Sequence, residues 1–257
     1  MQKQFIQNRK SQKIAVTVET PPRAHGLAFV MHGLGGFKEQ PHLQTVAGVF
    51  LKHGYTVVRF DTTNSFGESD GKYEDATTTS YLQDLEDVIV WASMQPWYQE
   101  PFCLAGHSLG GICTALYAEN HPKKIKALSP MSTVVSRKLS MEAAGKDAMD
   151  QWKKHGWKVE ESKSRPGVMK RLPWSFVEDG MKYDLLPKVK QLTMPVLMVV
   201  GEHDETTPLK HQKILFDALP GLKELHVISG APHTFRDSKY LAQLRQVFSQ
   251  WINTLRK

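Results

Sequence analysis

Gly106-His107-Ser108-Leu109-Gly110 follows a short apolar run, Pro101-Phe102-Cys103-Leu104-Ala105, and precedes a stretch with helical character over residues 112–120. Strand, sharp turn and helix is the setting in which a G-x-S-x-G pattern has a mechanism. The turn lifts the serine hydroxyl onto the exposed end of a strand, and the glycines two residues to either side let neighbouring backbone pass close by. The pattern marks Ser108 as a candidate nucleophile. A serine in a Gly-rich helix cap is the alternative, and the rest of the chain decides between them.

Working outward, strand and helix patterns alternate. Residues 13–18 alternate as an antiparallel strand does. Residues 26–31, 56–60, 125–129, 195–200 and 225–228 are apolar runs of strand length, and residues 43–53, 79–94, 208–219 and 238–255 carry helical spacing. Such alternation predicts an α/β fold: a mostly parallel central sheet with helices on both faces and a site at the carboxyl ends of the strands. Residues 133–189 break the rhythm. The segment holds Trp152, Trp157 and Trp174, half of the six tryptophans. A structureless connection of that length is uncommon in a compact domain, so the segment is expected to carry its own structure, as an inserted lid over the pocket.

A serine hydroxyl needs a base within hydrogen-bond reach, and the base needs an orienting acid. On sheets of this type the chain order is serine, acid, histidine. Gly201-Glu202-His203-Asp204-Glu205-Thr206-Thr207-Pro208 follows an apolar strand directly and offers Asp204 as the acid, with Glu202 and Glu205 as nearby alternatives. Ser229-Gly230-Ala231-Pro232-His233 follows the last strand and offers His233 as the base. Of the other histidines near strand ends, His107 adjoins the serine and should point away from it across the turn, and His32 should brace its own loop. Two backbone amides complete the set. Leu109 N–H opens a helix, where amides lack intrahelical acceptors, and Leu34 N–H lies in the Gly-rich loop His32-Gly33-Leu34-Gly35-Gly36.

With Ser108, Asp204, His233 and the His32-Gly33 loop in order, the chain resembles the α/β-hydrolase superfamily over roughly residues 10–257. Arg59-Phe60-Asp61 followed by Gly67-Glu68-Ser69-Asp70-Gly71 is similar to the loop that many members write R-x-D-x-x-G-x-G-x-S; Asn64-Ser65-Phe66-Gly67 alters that turn, and its role is taken as structural. Within the superfamily, His32-Gly33-Leu34 and Ser69-Asp70-Gly71-Lys72 look most like bacterial cinnamoyl and feruloyl esterases and related small carboxylesterases. Those relatives often have glutamine where this chain has Leu109, a position where only the backbone N–H is needed. The resemblance implies two-step acyl transfer from a small-molecule carboxylic ester to water, without cofactor or metal. Thioesterase, amidase or peptidase, C–C hydrolase, and a non-catalytic binding protein of the same fold stay open as alternatives.

Size and composition fit this reading. A chain of 257 residues suits one large α/β domain bearing an insertion. No apolar run approaches the roughly 18 residues that span a bilayer, and the first ten residues lack the apolar core of a signal peptide. A cytoplasmic protein is expected, with Cys103 and Cys113 as buried thiols. The formal net charge is +7, and residues 137–190 contribute thirteen Lys and Arg against eight Asp and Glu. Acids are interleaved there and no nucleic-acid motif is present, so a solvated basic face is expected, or a preference for substrates carrying a negative group. The pattern carries no signal for oligomeric state.

Overall fold

The structure, a computed structural model, describes residues 2–162 and 167–255. In chain order the elements are β1 (Gln2–Gln7), β2 (Lys13–Glu19), β3 (Gly26–Met31), α1 (Pro41–Lys52), β4 (Tyr55–Phe60), α2 (Thr78–Ser93), β5 (Phe102–His107), α3 (Leu109–Asn120), β6 (Ile125–Met131), α4 (Arg137–Ala144), α5 (Lys146–His155), β7 (Trp157–Glu161), β8 (Met169–Pro173), α6 (Ser175–Gly180), β9 (Val196–His203), α7 (Leu209–Ala218), β10 (Lys223–Pro232) and α8 (Ser238–Thr254). Eight strands form one sheet in the order β1-β2-β4-β3-β5-β6-β9-β10. β1 and β2 are antiparallel at one edge, and the six strands from β4 across to β10 run parallel. This is the α/β-hydrolase architecture that the motif order predicts.

Alternation along the strands divides the core into two layers. Leu27, Phe29 and Met31 of β3 pack on the side of α2 and α3, while Ala28 and Val30 pack on the side of α1 and α8. Residues buried on both faces explain why the central strands read as continuous apolar runs. α2 begins at a capping box, where Thr77 and Ser80 satisfy each other's backbone amides. α1 begins with Pro41, whose missing N–H would be unpaired there anyway. Among the described residues no helix is long and apolar enough to cross a membrane. Cys103 and Cys113 are both buried as free thiols, and burial pushes the Cys103 thiol up to about 12.

The structure differs from the sequence reading in three places. β1 is a strand that apolar alternation did not mark, since Ile6 is its one buried residue. β9 and β10 run on to His203 and Pro232, with an irregularity between Ile228 and Pro232, so the acid and base follow the strand tips without intervening loop. Residues 133–189 include three helices and a separate β7–β8 hairpin, and within this segment Leu172, Phe176, Leu185 and Val189 join the α2–α3 layer of the core.

Candidate active site

Ser108 lies between the end of β5 and the start of α3 with φ 56° and ψ −114°, a region that L-residues rarely adopt. Such a conformation costs about 1–3 kcal/mol and persists only where its surroundings enforce it. Here they do. The Ser108 N–H donates to Met131 O at 3.0 Å, and its carbonyl accepts from Gly111 and Val134. The glycines of the motif serve close approach: a Cβ on Gly106 would lie 2.2 Å from Gly110 O, and one on Gly110 would lie 2.4 Å from His32 O.

The three side chains singled out in the sequence come together. His233 Nε2 lies 3.0 Å from Ser108 Oγ, and His233 Nδ1 lies 2.9 and 3.0 Å from the two oxygens of Asp204. The Asp204 side chain is fully buried. Burial alone would raise its carboxyl, but His233 and the Thr207 amide outweigh that and hold it below the usual carboxylate range. Asp204 Oδ1 accepts from the Thr206 and Thr207 amides in the turn ahead of α7, so the carboxylate also fixes its own loop. Glu202 instead accepts from Gly230 N–H at 2.7 Å, tying β9 to β10, and Glu205 is exposed.

Both amides named from the sequence border the same cavity as Ser108. Leu109 N–H opens α3, where no intrahelical acceptor exists, and neither it nor Leu34 N–H has an acceptor among the described residues. The loop carrying Leu34 is braced from below. His32 Nδ1–H donates to Gly33 O at 2.7 Å, and His32 Nε2 accepts from Thr62 N–H at 3.0 Å. Burial lowers the His32 pKa, in keeping with this neutral form. Gly35 N–H donates to the Tyr81 hydroxyl at 3.1 Å.

Further contacts were not readable from the chain. His107 Nε2–H donates to the His233 carbonyl at 2.8 Å. Burial, then His233, brings the His107 pKa down to about 3, so it stays neutral. Thr207 Oγ1 lies 2.9 Å from both Asp204 Oδ2 and Ser132 O. His42 is buried edge-on to His107, ring centres 4.6 Å apart. The sequence places His107 on the far side of the turn from Ser108, but which backbone it meets depends on where β10 returns.

Lys38 and Asp61 anchor the floor of the Leu34 loop. Lys38 Nζ is completely enclosed and bonds Asp61 at 2.7 Å, Glu68 at 2.6 Å and Glu39 at 3.0 Å. Asp61 also accepts from the Lys38 and Glu68 amides. Burial disfavours the Lys38 charge, yet its carboxylate partners raise the pKa above that of an ordinary lysine. The carboxylates of Glu39, Asp61 and Glu68 are the one grouping of potential metal ligands among the described residues. Lys38 already supplies a positive charge bonded to all three.

A cavity of about 820 Å³ opens over Ser108 and His233. Met141, Met149, Trp152, Leu172 and Phe176, all from the segment between β6 and β9, form part of its wall. Trp152 is held by its indole N–H, which donates to Leu172 O at 3.0 Å.

Comparison with known proteins bears on the family and the fold. Residues 22–237 match the Hydrolase_4 family, described as serine aminopeptidase, S33. A mouse mitochondrial palmitoyl-protein thioesterase, ABHD10, is 26% identical over 157 residues, 60% of this chain and 50% of that protein, so the match spans half the relative's length. Est1E from Butyrivibrio proteoclasticus with ferulic acid bound superposes with a TM-score of 0.83 at 22% identity, covering 98% of both chains. The solved mouse ABHD10 superposes with a TM-score of 0.81 at 19% identity, covering 99% of this chain and 100% of that one. The chain thus belongs to the Hydrolase_4 family described as serine aminopeptidase, S33, and is a serine hydrolase of the α/β-hydrolase fold.

Proposed function

We propose that the protein is a serine carboxylesterase in which Ser108, His233 and Asp204 act as a catalytic triad. The observation that carries this reading is the continuous hydrogen-bonded line from Ser108 Oγ through His233 to the buried Asp204. Ser108 attacks the ester carbonyl as His233 Nε2 takes its proton. The oxyanion that forms is received by the Leu34 and Leu109 amides; one donor of this kind typically contributes ~10²–10³ in rate. His233 returns the proton to the departing alcohol, leaving an acyl-enzyme. A water deprotonated by His233 then attacks the acyl carbon, and the proton passes from His233 to Ser108 Oγ as the acyl–oxygen bond breaks and the carboxylic acid leaves. Asp204 keeps Nδ1 protonated and stabilises the imidazolium at each stage.

Residues 133–189 act in this reading as a lid that selects the substrate, supported by their share of the cavity wall. The substrate is a small or medium ester. The free thiols of Cys103 and Cys113 are in keeping with a cytoplasmic setting.

Thioesters are the second reading, favoured by the name of the mouse relative, a palmitoyl-protein thioesterase. The test is a fluorophosphonate probe followed by a matched panel of aryl ester, alkyl thioester and aminoacyl amide. Labelling confined to Ser108 and highest kcat/KM on the ester are expected. Absence of labelling would falsify the triad, and a preference for the thioester or amide would replace the substrate class while keeping the triad.

A further inference from the structure

Arg137 is the first residue of α4 and is only 9% exposed. Its guanidinium lies 4.4 Å from the centre of the Phe176 ring and fills the space that Gly180 leaves open, where a Cβ would come within 2.2 Å of Nε. Nε is buried without a hydrogen-bond partner, and no carboxylate of the described residues lies within ion-pair distance of the terminal nitrogens. Asp179 is the acid whose field reaches it, but its oxygens are occupied by the Thr79 amide, the Thr79 hydroxyl and Lys182. Burial brings the Arg137 pKa down to about 10, so the group stays charged at neutral pH. A cation at a helix N-terminus also opposes the helix dipole. Desolvation, an unused donor and an adverse dipole coincide at one side chain, with no compensating anion in the described residues.

Arg137 borders the same cavity as Ser108. Two other cations of that wall, Lys158 and Lys170, are both engaged by Glu160. The apolar side chains of Met141, Leu172 and Phe176 border the same space. With one face of the guanidinium against Phe176 and Nε packed against Gly180, the two terminal nitrogens suit a planar carboxylate, which they can grip through two parallel hydrogen bonds. We infer that Arg137 recognises a carboxylate carried by the substrate away from the scissile bond, so that the enzyme acts on esters bearing a free acid on the acyl or the alcohol part. This inference rests on the esterase reading of Ser108.

Two matched pairs test it in the wild-type chain: the mono-para-nitrophenyl ester of adipic acid against its methyl ester, and para-butyryloxybenzoate against its methyl ester. The carboxylate member of at least one pair should be preferred by about tenfold or more in kcat/KM, chiefly through KM, as a charge-assisted hydrogen bond implies. Arg137→Gln should collapse that ratio by about tenfold, and Arg137→Lys should restore part of it. Equal rates within both pairs, or a ratio that Arg137→Gln leaves intact, would overturn the proposal. Binding separates this outcome from failure of the esterase reading. Adipic acid monoamide, titrated calorimetrically into Ser108→Ala protein, should bind at least tenfold tighter than adipamide and lose that advantage when Arg137→Gln is added. If no ester is turned over, this difference still supports Arg137 while the esterase reading falls; equal binding of the two amides sinks the Arg137 proposal.

Discussion

Lys38 and Arg137 are both cations removed from water, one beneath the Leu34 loop and one in the wall formed by the segment between β6 and β9. Lys38 has three carboxylates of its own chain around it, and Arg137 has none of the described residues' carboxylates within ion-pair distance. The first region is electrostatically complete as folded, and so is the line from Ser108 to Asp204. The second, on the proposal above, is completed by an anion from outside. The residues proposed to perform and support chemistry are thus satisfied internally, while the residue proposed to choose the substrate is left unsatisfied.

The largest test of the complete region is Asp204→Asn. Loss of the carboxylate removes the partner that fixes the His233 tautomer, and a fall in kcat of ~10³–10⁴ is expected while the secondary structure is retained. Near-normal turnover would assign the acid elsewhere. Next comes Lys38→Met, which strands Asp61 in a buried site without its cation. Denaturant titration should register a loss of about 3–5 kcal/mol. A loss below about 1 kcal/mol would mean that the pairing is not what holds the loop.

Acidity probes the same region more gently. Asp204 has a folded-state pKa below its unfolded value, so its ionised carboxylate contributes stability above the unfolded value, near ~4, and that contribution is lost as pH falls toward the folded value. The stability advantage of wild type over Asp204→Asn, expected at about 2 kcal/mol near neutrality, should therefore shrink progressively below about pH 4. A gap that widens in acid would contradict the assignment. The smallest effect has the opposite sign. Arg137→Met should raise the unfolding free energy of the ligand-free protein by about 1 kcal/mol, because it exchanges an unpaired buried charge for an apolar chain of similar length. A loss of several kcal/mol would make Arg137 a structural residue after all and erase the contrast with Lys38.

Legibility in the sequence follows the same division. The central strands were readable because both of their faces are buried, and the site residues because they stand at the tips of those strands in a fixed order. β1 was not, since five of its six residues are at least partly exposed. Nor was the β7–β8 hairpin, whose charged Lys158, Glu160, Glu161, Lys170 and Arg171 belong to the segment taken as a solvated basic face and mark no apolar strand. The segment's positive balance was visible as a count, but a count does not separate Lys158 and Lys170, which share Glu160, from Arg137, which has no such acid. The contacts of His107 with the His233 carbonyl and of Thr207 with Asp204 arise from how β9 and β10 lie side by side, information held in no local pattern.

The backbone of Ser108 carries a consequence for how this protein can change. At φ 56° the position suits glycine better than any residue with a side chain. Relaxation of the fold and retention of the hydroxyl therefore pull in opposite directions at a single codon. In the mechanism proposed above, a chain carrying Ser108→Gly would keep the cavity, the Leu34 and Leu109 amides and Arg137, and would hold substrate without cleaving it. On that reading the step from hydrolase to receptor is one substitution long, and the backbone at this position does not oppose it.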